Sequence, residues 1–351
     1  MKTLNPRDAT LLSVVIPAHN EAAGIAHAVA VISQVVDGCA MHWEIVVVDD
    51  GSRDGTFERI RELSRQDSRI KGVRFSRNFG KEAALLAGLR AARGDAVVTI
   101  DADLQHPPTL IAQMIDHWRQ GAMIVDGVKR NRDSDGPLTR LRATLFNALI
   151  SRLGGVNLEN ASDFKLLDRV VVDTLARALP ERRRFYRGLS EWVGYPRASV
   201  QFDVEERLDG QGKWTLLKLI DLAVTALVSF TSAPLRVVTI LGSLTLLFGL
   251  GVAADALVSW FRGVAVSGFA TIIMTTLIIG SFVMISLGII GEYIAKIYDE
   301  IKARPVYLIQ ATEGLSNGEH GGFGTPAISA PVFPAAAEVT STADNSPASK
   351  A

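Results

Sequence analysis

Two long stretches without a charged residue constrain this chain more than any other feature. They cover residues 237–254 and 264–291. A helix needs about 20 mainly apolar residues to cross a hydrocarbon core of about 30 Å. The first stretch reaches that length with its flank to Trp260, and the second exceeds it. The sequence therefore predicts a transmembrane hairpin with helices at about 236–260 and 266–292.

Basic residues around the hairpin predict its orientation. They lie on both sides of it, at Lys213, Lys218, Arg236, Lys296, Lys302 and Arg304, whereas the connecting turn contains only Arg262. The positive-inside rule places both ends in the cytoplasm. Residues 1–16 do not resemble a secretory signal, because the apolar run before Pro17 is too short. We expect a multi-pass protein of the inner (plasma) membrane with both termini in the cytoplasm. A buried hairpin in a soluble fold is the poorer alternative, because two such stretches rarely occur together there.

Strand-forming and helix-forming segments alternate through the N-terminal half. Short runs rich in valine and isoleucine predict buried strands at 12–16, 44–48, 73–75 and 96–100. Longer segments predict helices at about 21–36, 56–65, 81–92 and 107–120. This alternation indicates an α/β fold with a Rossmann-like, mostly parallel sheet. Ligands bind at the carboxyl ends of the strands in such sheets.

The chain divides into five predicted segments. Residues 1–210 form the cytosolic α/β domain, and 211–233 form an amphipathic juxtamembrane helix that lies in the membrane interface. Residues 234–295 form the transmembrane hairpin, and 296–310 are a cytosolic juxtamembrane segment. Residues 311–351, rich in small residues and proline, are predicted to be a disordered tail.

Composition excludes several function classes. Lysine and arginine total 37, as do aspartate and glutamate, so the chain lacks the cationic excess of a general nucleic-acid binder. Cys39 is the single cysteine, which excludes an intrachain disulfide and a cysteine-rich zinc site. A homo-oligomer is compatible with the sequence, which does not determine the oligomeric state.

Acidic residues follow three of the predicted strands. Asp101 and Asp103 follow 96–100, and Gln105 adds a further oxygen ligand. Oxygen ligands of this kind suit Mg²⁺ or Mn²⁺, which usually keep coordination places for substrate phosphates. The alternative is a simple loop in which Asp103 caps a helix. Asp50 and Glu21 lie at the other two strand ends, where a carboxylate can bind a nucleoside or serve only as a turn or first-turn acid.

Basic residues form three clusters that suit phosphate groups. They are Lys129, Arg130, Arg132, Arg140 and Arg142; then Arg182, Arg183, Arg184 and Arg187; then Arg207 and Lys213. Arginine and lysine are the usual partners of phosphate, so a phosphate-bearing substrate is one interpretation. Anionic lipid headgroups near the hairpin are another, and solvated surface charge is a third.

Four motifs together resemble glycosyltransferase family 2, whose members have the GT-A fold. They are Val-Val-Ile-Pro-Ala-His-Asn-Glu, Val-Asp-Asp-Gly-Ser, Ser-Arg-Asn-Phe-Gly-Lys and Asp-Ala-Asp-Leu-Gln-His-Pro-Pro. More narrowly, the chain resembles the polyprenyl-phosphate glycosyltransferases, which include dolichyl-phosphate mannose synthase. The bacterial branch that makes undecaprenyl-phosphate sugars has a similar C-terminal hairpin, which ends like Gly291–Tyr298 and Arg304-Pro305 here. The resemblance covers about residues 11–309.

The resemblance implies roles for particular residues. Those implied to bind the nucleotide sugar are Pro17, His19, Glu21, Val48, Asp50, Asp101, Ala102, Asp103, Lys129, Arg207 and Lys213. Asp101, Asp103 and Gln105 are the implied metal ligands, and Arg142 is the implied partner of the lipid phosphate. The implied catalytic residues are Asp103, Asp163 and Arg207, and Asp163 acts either on the acceptor or by orienting other residues. His19 departs from the tyrosine, and Lys129 from the arginine, found in relatives.

The implied reaction is an inverting sugar transfer. A nucleotide-diphospho-sugar is the donor, and a polyprenyl phosphate such as undecaprenyl phosphate is the acceptor. Glucose from UDP-glucose is the first choice. Mannose from GDP-mannose, N-acetylglucosamine, galactose and a modified arabinose remain open. A processive polysaccharide synthase is disfavoured because its Gln-x-x-Arg-Trp motif is not found, and a non-enzymatic membrane scaffold would not need acids at three strand ends.

Overall fold

The computed structural model describes residues 11–39, 41–129, 162–179, 181–182, 184–202, 233–263 and 268–315. Three residues with predicted roles, Arg142, Arg207 and Lys213, lie outside this part of the chain. So do the predicted interfacial helix at 211–233, apart from Ala233, and the predicted tail beyond residue 315. The predictions for these segments stay predictions.

An eight-stranded sheet forms the centre of the α/β part of the chain, which is named the catalytic half for the catalytic residues predicted there. Its strands are β1 Leu11–Ala18, β2 His42–Asp49, β3 Ile70–Phe75, β4 Ala96–Thr99, β5 Ile124–Lys129, β6 Lys165–Asp168, β7 Arg197–Phe202 and β8 Ile309–Glu313. The strand order is β7-β5-β6-β4-β1-β2-β3-β8. Strands β4, β1, β2 and β3 are mutually parallel neighbours, and β5 and β7 are also parallel. Strands β6 and β8 run antiparallel to their neighbours. The predicted α/β fold with a mostly parallel sheet is confirmed.

Helices cover both faces of the sheet. They are α1 Ile25–Asp37, α2 Thr56–Gln66, α3 Lys81–Ala91, α4 Leu110–Arg119, α5 Arg169–Asp173 and α6 Tyr186–Trp192, with a π-helical turn at Thr174–Ala178. Side chains of β1 alternate between the two faces, because successive residues of a strand point to opposite sides. Val14 and Ile16 pack with α1, α2 and α4, whereas Val15 packs with α3. This double covering explains why the central strands are continuously hydrophobic.

Two long apolar helices follow the catalytic half. They are α7 Ala233–Phe261 and α8 Phe269–Ile301. Their segments Leu235–Phe261 and Ile272–Ile301 are long and apolar enough to cross a membrane, and they are not buried inside the protein. Helix α8 extends beyond the predicted end at residue 292, so the segment predicted as 296–310 begins as helix. The backbone N–H of Arg182 donates to Glu300 Oε1 at 3.0 Å, which joins the end of α8 to the catalytic half.

The prediction that disorder begins at residue 311 is wrong. Strand β8 pairs antiparallel with β3, and Gly72 lies opposite Glu313. Just before β8, Tyr307 is 1% exposed, and its ring stacks on Phe75 with centroids 4.9 Å apart. The sequence pattern does not predict this strand, because the strand is short and becomes stable only by pairing with a distant sheet edge.

The return of the chain to the sheet predicts a stability effect at Tyr307. Tyr307→Ala should lower the free energy of unfolding of the catalytic half by about 3 kcal/mol, because it empties a buried aromatic site against Phe75. Thermal unfolding in detergent, followed by tryptophan fluorescence, measures the change. Deletion of residues 316–351 is the control and should leave the melting temperature unchanged. Equal melting temperatures for Tyr307→Ala and wild type would contradict a stabilising role of the contact between Tyr307 and Phe75.

Candidate active site

A cavity of about 460 Å³ opens at the carboxyl ends of β1, β2 and β3. The residues that line it are His19, Asn20, Gly51, Ser52, Arg53, Arg74, Phe75, Ser76, Arg77, Asn78 and Gln310. Its size suits a small ligand, and its position follows the general rule for parallel sheets. Four of these residues, three arginines and His19, have side chains that can donate hydrogen bonds. The cavity is therefore suited to an anionic or nucleoside-containing ligand.

The loop after β1 is held to the loop after β2 by a set of hydrogen bonds. The backbone N–H of Asn20 donates to Ser52 Oγ at 2.8 Å, and the N–H of Glu21 donates to Thr56 Oγ1 at 2.9 Å. Asn20 has a φ of 57°, a left-handed conformation that is uncommon for residues other than glycine. Leu104, after β4, has a φ of 53°. Backbone strain of this kind clusters at functional sites.

Asp50 organises the loop that closes the cavity on the β3 side. Its Oδ1 accepts the N–H of Phe79 at 2.6 Å, and its Oδ2 accepts the N–H of Gly80 at 2.9 Å. Burial raises the pKa of this carboxyl, although the two N–H donors oppose that change. Gly51 has a φ of 65°, and a side chain there would meet the backbone of Arg77. Asp50 thus positions the wall of the cavity, and its predicted role in binding the nucleotide sugar stays a prediction.

Four charged side chains form a cluster beside this loop. Lys81 begins α3, and its Nζ lies 2.7 Å from both Asp101 Oδ1 and Asp163 Oδ2. Arg187 on α6 donates to both oxygens of Asp163, from Nε at 2.7 Å and from Nη2 at 2.9 Å. The cluster therefore joins the end of β4 and the beginning of the antiparallel strand β6 to the beginnings of two helices.

Asp163 is poorly suited to be a general base. It is 8% exposed, and both of its oxygens already accept hydrogen bonds from cations. Burial alone would raise its pKa, but Arg187 and Lys81 outweigh burial and hold the pKa well below the usual range. Burial likewise lowers the pKa of Lys81, and the carboxylates of Asp163 and Asp101 outweigh it and raise that pKa. The geometry fits the orienting role of Asp163, which the sequence had left open beside a role in proton transfer.

Asp103 lies in the loop after β4 and does not cap a helix. Helix α4 begins at Leu110 with Thr109 before it, whereas Asp103 Oδ1 accepts the N–H of Gln105 at 3.1 Å. Burial and the nearby charge of Asp103 raise the pKa of Glu21, so the loops after β1 and β4 face each other. The alternative of a plain helix cap is wrong.

Asp101 and Asp103 fit a divalent cation by their chemistry. Asp101 already holds a cation, the ammonium of Lys81. Within the described ranges, no group of three or more histidine, cysteine, aspartate or glutamate side chains has the arrangement of a metal site. Mg²⁺ commonly takes only one or two protein carboxylates together with substrate phosphates and water. Two carboxylates with Gln105 nearby match that pattern.

Other residues implied by the resemblance have different positions. Val48 is fully buried in the layer against α3 and does not line the cavity. Pro17 pairs with Val48 inside the sheet, and Ala102 is 8% exposed. Lys129 is the last residue of β5, a strand that β6 separates from β4. The binding roles of these residues stay predictions.

The sequence assigns no specific contact to three residues that the structure brings to the site. Lys81 ends the Ser-Arg-Asn-Phe-Gly-Lys motif, and its basic side chain at the start of a helix is the available signal. Arg187 belongs to one of the three basic clusters for which phosphate, lipid headgroups and solvated surface charge stay open, and nothing local links it to Asp163. Gln310 had been placed at the edge of a disordered tail. These contacts join residues far apart in the chain.

Comparison with known proteins identifies the family. The family described as Glycosyl transferase family 2 matches residues 13–176. The chain is 42% identical over 306 residues to an uncharacterized glycosyltransferase from Synechocystis, a match that covers 87% of this chain and 96% of that protein. The chain belongs to glycosyltransferase family 2. It is a glycosyltransferase with the GT-A fold, as the motifs predicted, and the non-enzymatic scaffold is excluded.

Two further similarities are to proteins whose names state a particular transfer or synthase activity. The bactoprenol glucosyl transferase of Shigella phage SfII is 37% identical over 304 residues, which cover 85% of this chain and 97% of that protein. A solved glucosyl-3-phosphoglycerate synthase from Mycobacterium tuberculosis is 24% identical, with a TM-score of 0.42, over 62% of this chain and 78% of that one.

The ion pairs of Asp163 predict that its replacement lowers the stability of this glycosyltransferase. Asp163→Asn should lower the free energy of unfolding by about 2 kcal/mol, because it leaves two cations without their shared anion and Arg187 is partly screened by water. Thermal unfolding measures the loss. Asp116→Asn, at an exposed position on α4, is the control. A variant as stable as wild type would show that the cluster has no structural role.

Glu82 predicts a pH dependence of stability. Burial raises the pKa of this partly buried carboxyl to about 7, although its Oε2 accepts the N–H of Tyr186. The unfolded state loses the proton near pH 4.5, so stability falls as pH rises from about 4.5 to 7 and stays lower above that range. Glu82→Gln should therefore be more stable than wild type at pH 8 by up to about 2 kcal/mol, and equal to it near pH 4.5. Melting temperatures at several pH values test this, with Glu62→Gln as the control, and a pH-independent difference would contradict it.

Proposed function

We propose that this glycosyltransferase transfers glucose from UDP-glucose to undecaprenyl phosphate at the cytoplasmic face of the membrane, with inversion at the anomeric carbon. The similarity to a bactoprenol glucosyl transferase over 97% of that protein's length carries the proposal. Two helices of membrane-spanning length support a lipid acceptor, because they hold the catalytic half next to the bilayer.

The donor occupies the carboxyl edge of the sheet. Its nucleoside enters the cavity lined by His19 and Arg77, and its diphosphate extends towards Asp101 and Asp103. A divalent cation, Mg²⁺ or Mn²⁺, supplies positive charge next to the diphosphate leaving group when Asp101, Asp103 and Gln105 hold it. The ammonium of Lys81, fixed by Asp163, lies at the same edge and adds to this field.

The acceptor needs little help from a base. A phosphate monoester has a second pKa of about 6 and is largely a dianion at neutral pH, so its oxygen attacks without first losing a proton. The engagement of both Asp163 oxygens agrees with this chemistry. Asp163 orients Arg187 and Lys81, and these cations attract the two phosphate-bearing substrates. Holding both substrates in line supplies much of the rate.

The membrane arrangement follows the charge pattern. The hairpin crosses the membrane twice with both ends in the cytoplasm, and residues 211–233 lie in the interface. In the proposed complex, Arg207 and Lys213 bind the donor phosphates, and Arg142 binds the lipid phosphate. Transfer of mannose from GDP-mannose is the second candidate, which the resemblance to dolichyl-phosphate mannose synthase supports.

A transfer assay tests the reaction. Membranes that contain the full chain, undecaprenyl phosphate and Mg²⁺ should convert radiolabelled UDP-glucose to a lipid-extractable monosaccharide, and Asp103→Asn should lower the rate at least about 100-fold through loss of charge stabilisation. Asp116→Asn should keep normal turnover.

Other outcomes separate the alternatives. Label from GDP-mannose alone would replace glucose with mannose, and a labelled polymer would indicate a polysaccharide synthase. Near-normal turnover of Asp103→Asn would contradict the proposed metal site. A lack of any lipid-linked product would overturn the proposed function.

A further inference from the structure

Strand β8 contains a bulge at Gln310. In its pairing with β3, Arg74 lies opposite Ala311 and Phe75 lies opposite Ile309. Two consecutive residues of β3 thus face three of β8, and Gln310 is the extra residue. Bulges often lie beside functional sites, where the extra residue turns a side chain out of the regular alternation.

The bulged residue lies at the donor cavity. Gln310 lines the cavity together with His19 and Arg77, and its side chain is exposed there. Within the part of the chain that the structure describes, its amide makes no hydrogen bond. A primary amide offers both donors and an acceptor. The cavity thus contains an uncommitted amide, whereas His19 Nδ1 is engaged with the carbonyl of Asp50 at 2.9 Å.

The backbone at Gln310 is held in place by contacts of its neighbours. Ser76 donates its N–H to the carbonyl of Leu308 at 2.9 Å, and Arg61 pairs with Glu313 at 2.7 Å. Tyr307 is anchored on Phe75 just before the strand. Anchors on both sides of Gln310 limit the backbone entropy that is lost when its side chain binds a ligand.

The strand order indicates which part of the donor meets Gln310. From β4, which carries the aspartates, the order continues through β1, β2 and β3 to β8. At about 4.8 Å between strands, β8 lies about 19 Å from β4. A nucleotide sugar with its diphosphate at β4 extends its nucleoside towards β8, and the base is the end farthest from the diphosphate. Base edges carry the donors and acceptors that an amide can pair with.

We propose that Gln310, supplied by the strand that follows the second membrane helix, hydrogen-bonds to the base of the donor nucleotide and helps to select the donor. This inference rests on the proposed nucleotide-sugar donor, but it does not depend on the identity of the sugar or the lipid. It makes the C-terminal strand part of the donor site.

Nucleotide titrations on the full-length protein in detergent test the assignment. Gln310→Ala and Gln310→Leu should weaken UDP binding about 3- to 10-fold, the effect of one lost hydrogen bond. Binding of UMP should weaken by the same factor, and binding of inorganic pyrophosphate should not change. The KM for the sugar donor should rise in parallel while kcat stays within about twofold. Thr312→Ala, on the same strand opposite Val73 and away from the cavity, is the matched control.

Defined outcomes would overturn the assignment. Unchanged UDP affinity in both Gln310 variants, with normal melting temperatures, would exclude a contact with the nucleotide. An equal loss for pyrophosphate would move the contact from the base to the phosphates and so refute the inference. If wild type binds GDP and not UDP, the proposed UDP-glucose donor fails, and the same comparison with GDP and GMP then decides the role of Gln310.

Discussion

The paired charges around Asp163 are the interaction on which the site depends. A buried carboxylate is costly unless cations and hydrogen bonds compensate it, and here Lys81 and Arg187 both do so. These cations come from the first turns of two different helices, so one carboxylate determines how α3 and α6 approach the beginning of β6. Because Lys81 also contacts Asp101, the same interaction places a positive charge beside the proposed metal ligands. The positive field is therefore arranged before any substrate binds, which is the condition for effective electrostatic catalysis.

A second set of contacts joins the cavity at the ends of β1, β2 and β3 to the segment that follows α8. Asp50 holds the loop at Phe79 and Gly80, and Ser76 in the same region is bonded to the segment that follows α8. The chain thus leaves α8 and returns to the outer edge of the sheet. This arrangement is compatible with the proposed reaction, in which a soluble nucleotide sugar meets a lipid phosphate.

With the proposed phosphate-monoester acceptor, the site does not require a strong base. A dianionic phosphate is already a nucleophile, so the protein has to attract and orient anions more than it has to move protons. The low pKa of Asp163 and its saturated oxygens are consistent with this division of tasks. Glu82 lies beside the cluster, and burial raises its pKa to about 7. When it is protonated, it carries no charge.

The sequence by itself determined the α/β class, the parallel strands, the two membrane-length helices and the acids at the strand ends. Each of these depends on a local pattern: runs of valine and isoleucine, uncharged length, or a carboxylate directly after a strand. Only the tertiary structure decided that Asp163 contacts Lys81 and Arg187, that Asp50 holds a loop, and that Gln310 belongs to the donor cavity. The predicted tail begins at residue 311, within strand β8, because a five-residue strand has no stability until β3 supplies its hydrogen-bond partners. Such contacts join residues tens to hundreds of positions apart, and their energy comes from pairing and burial that no local pattern records.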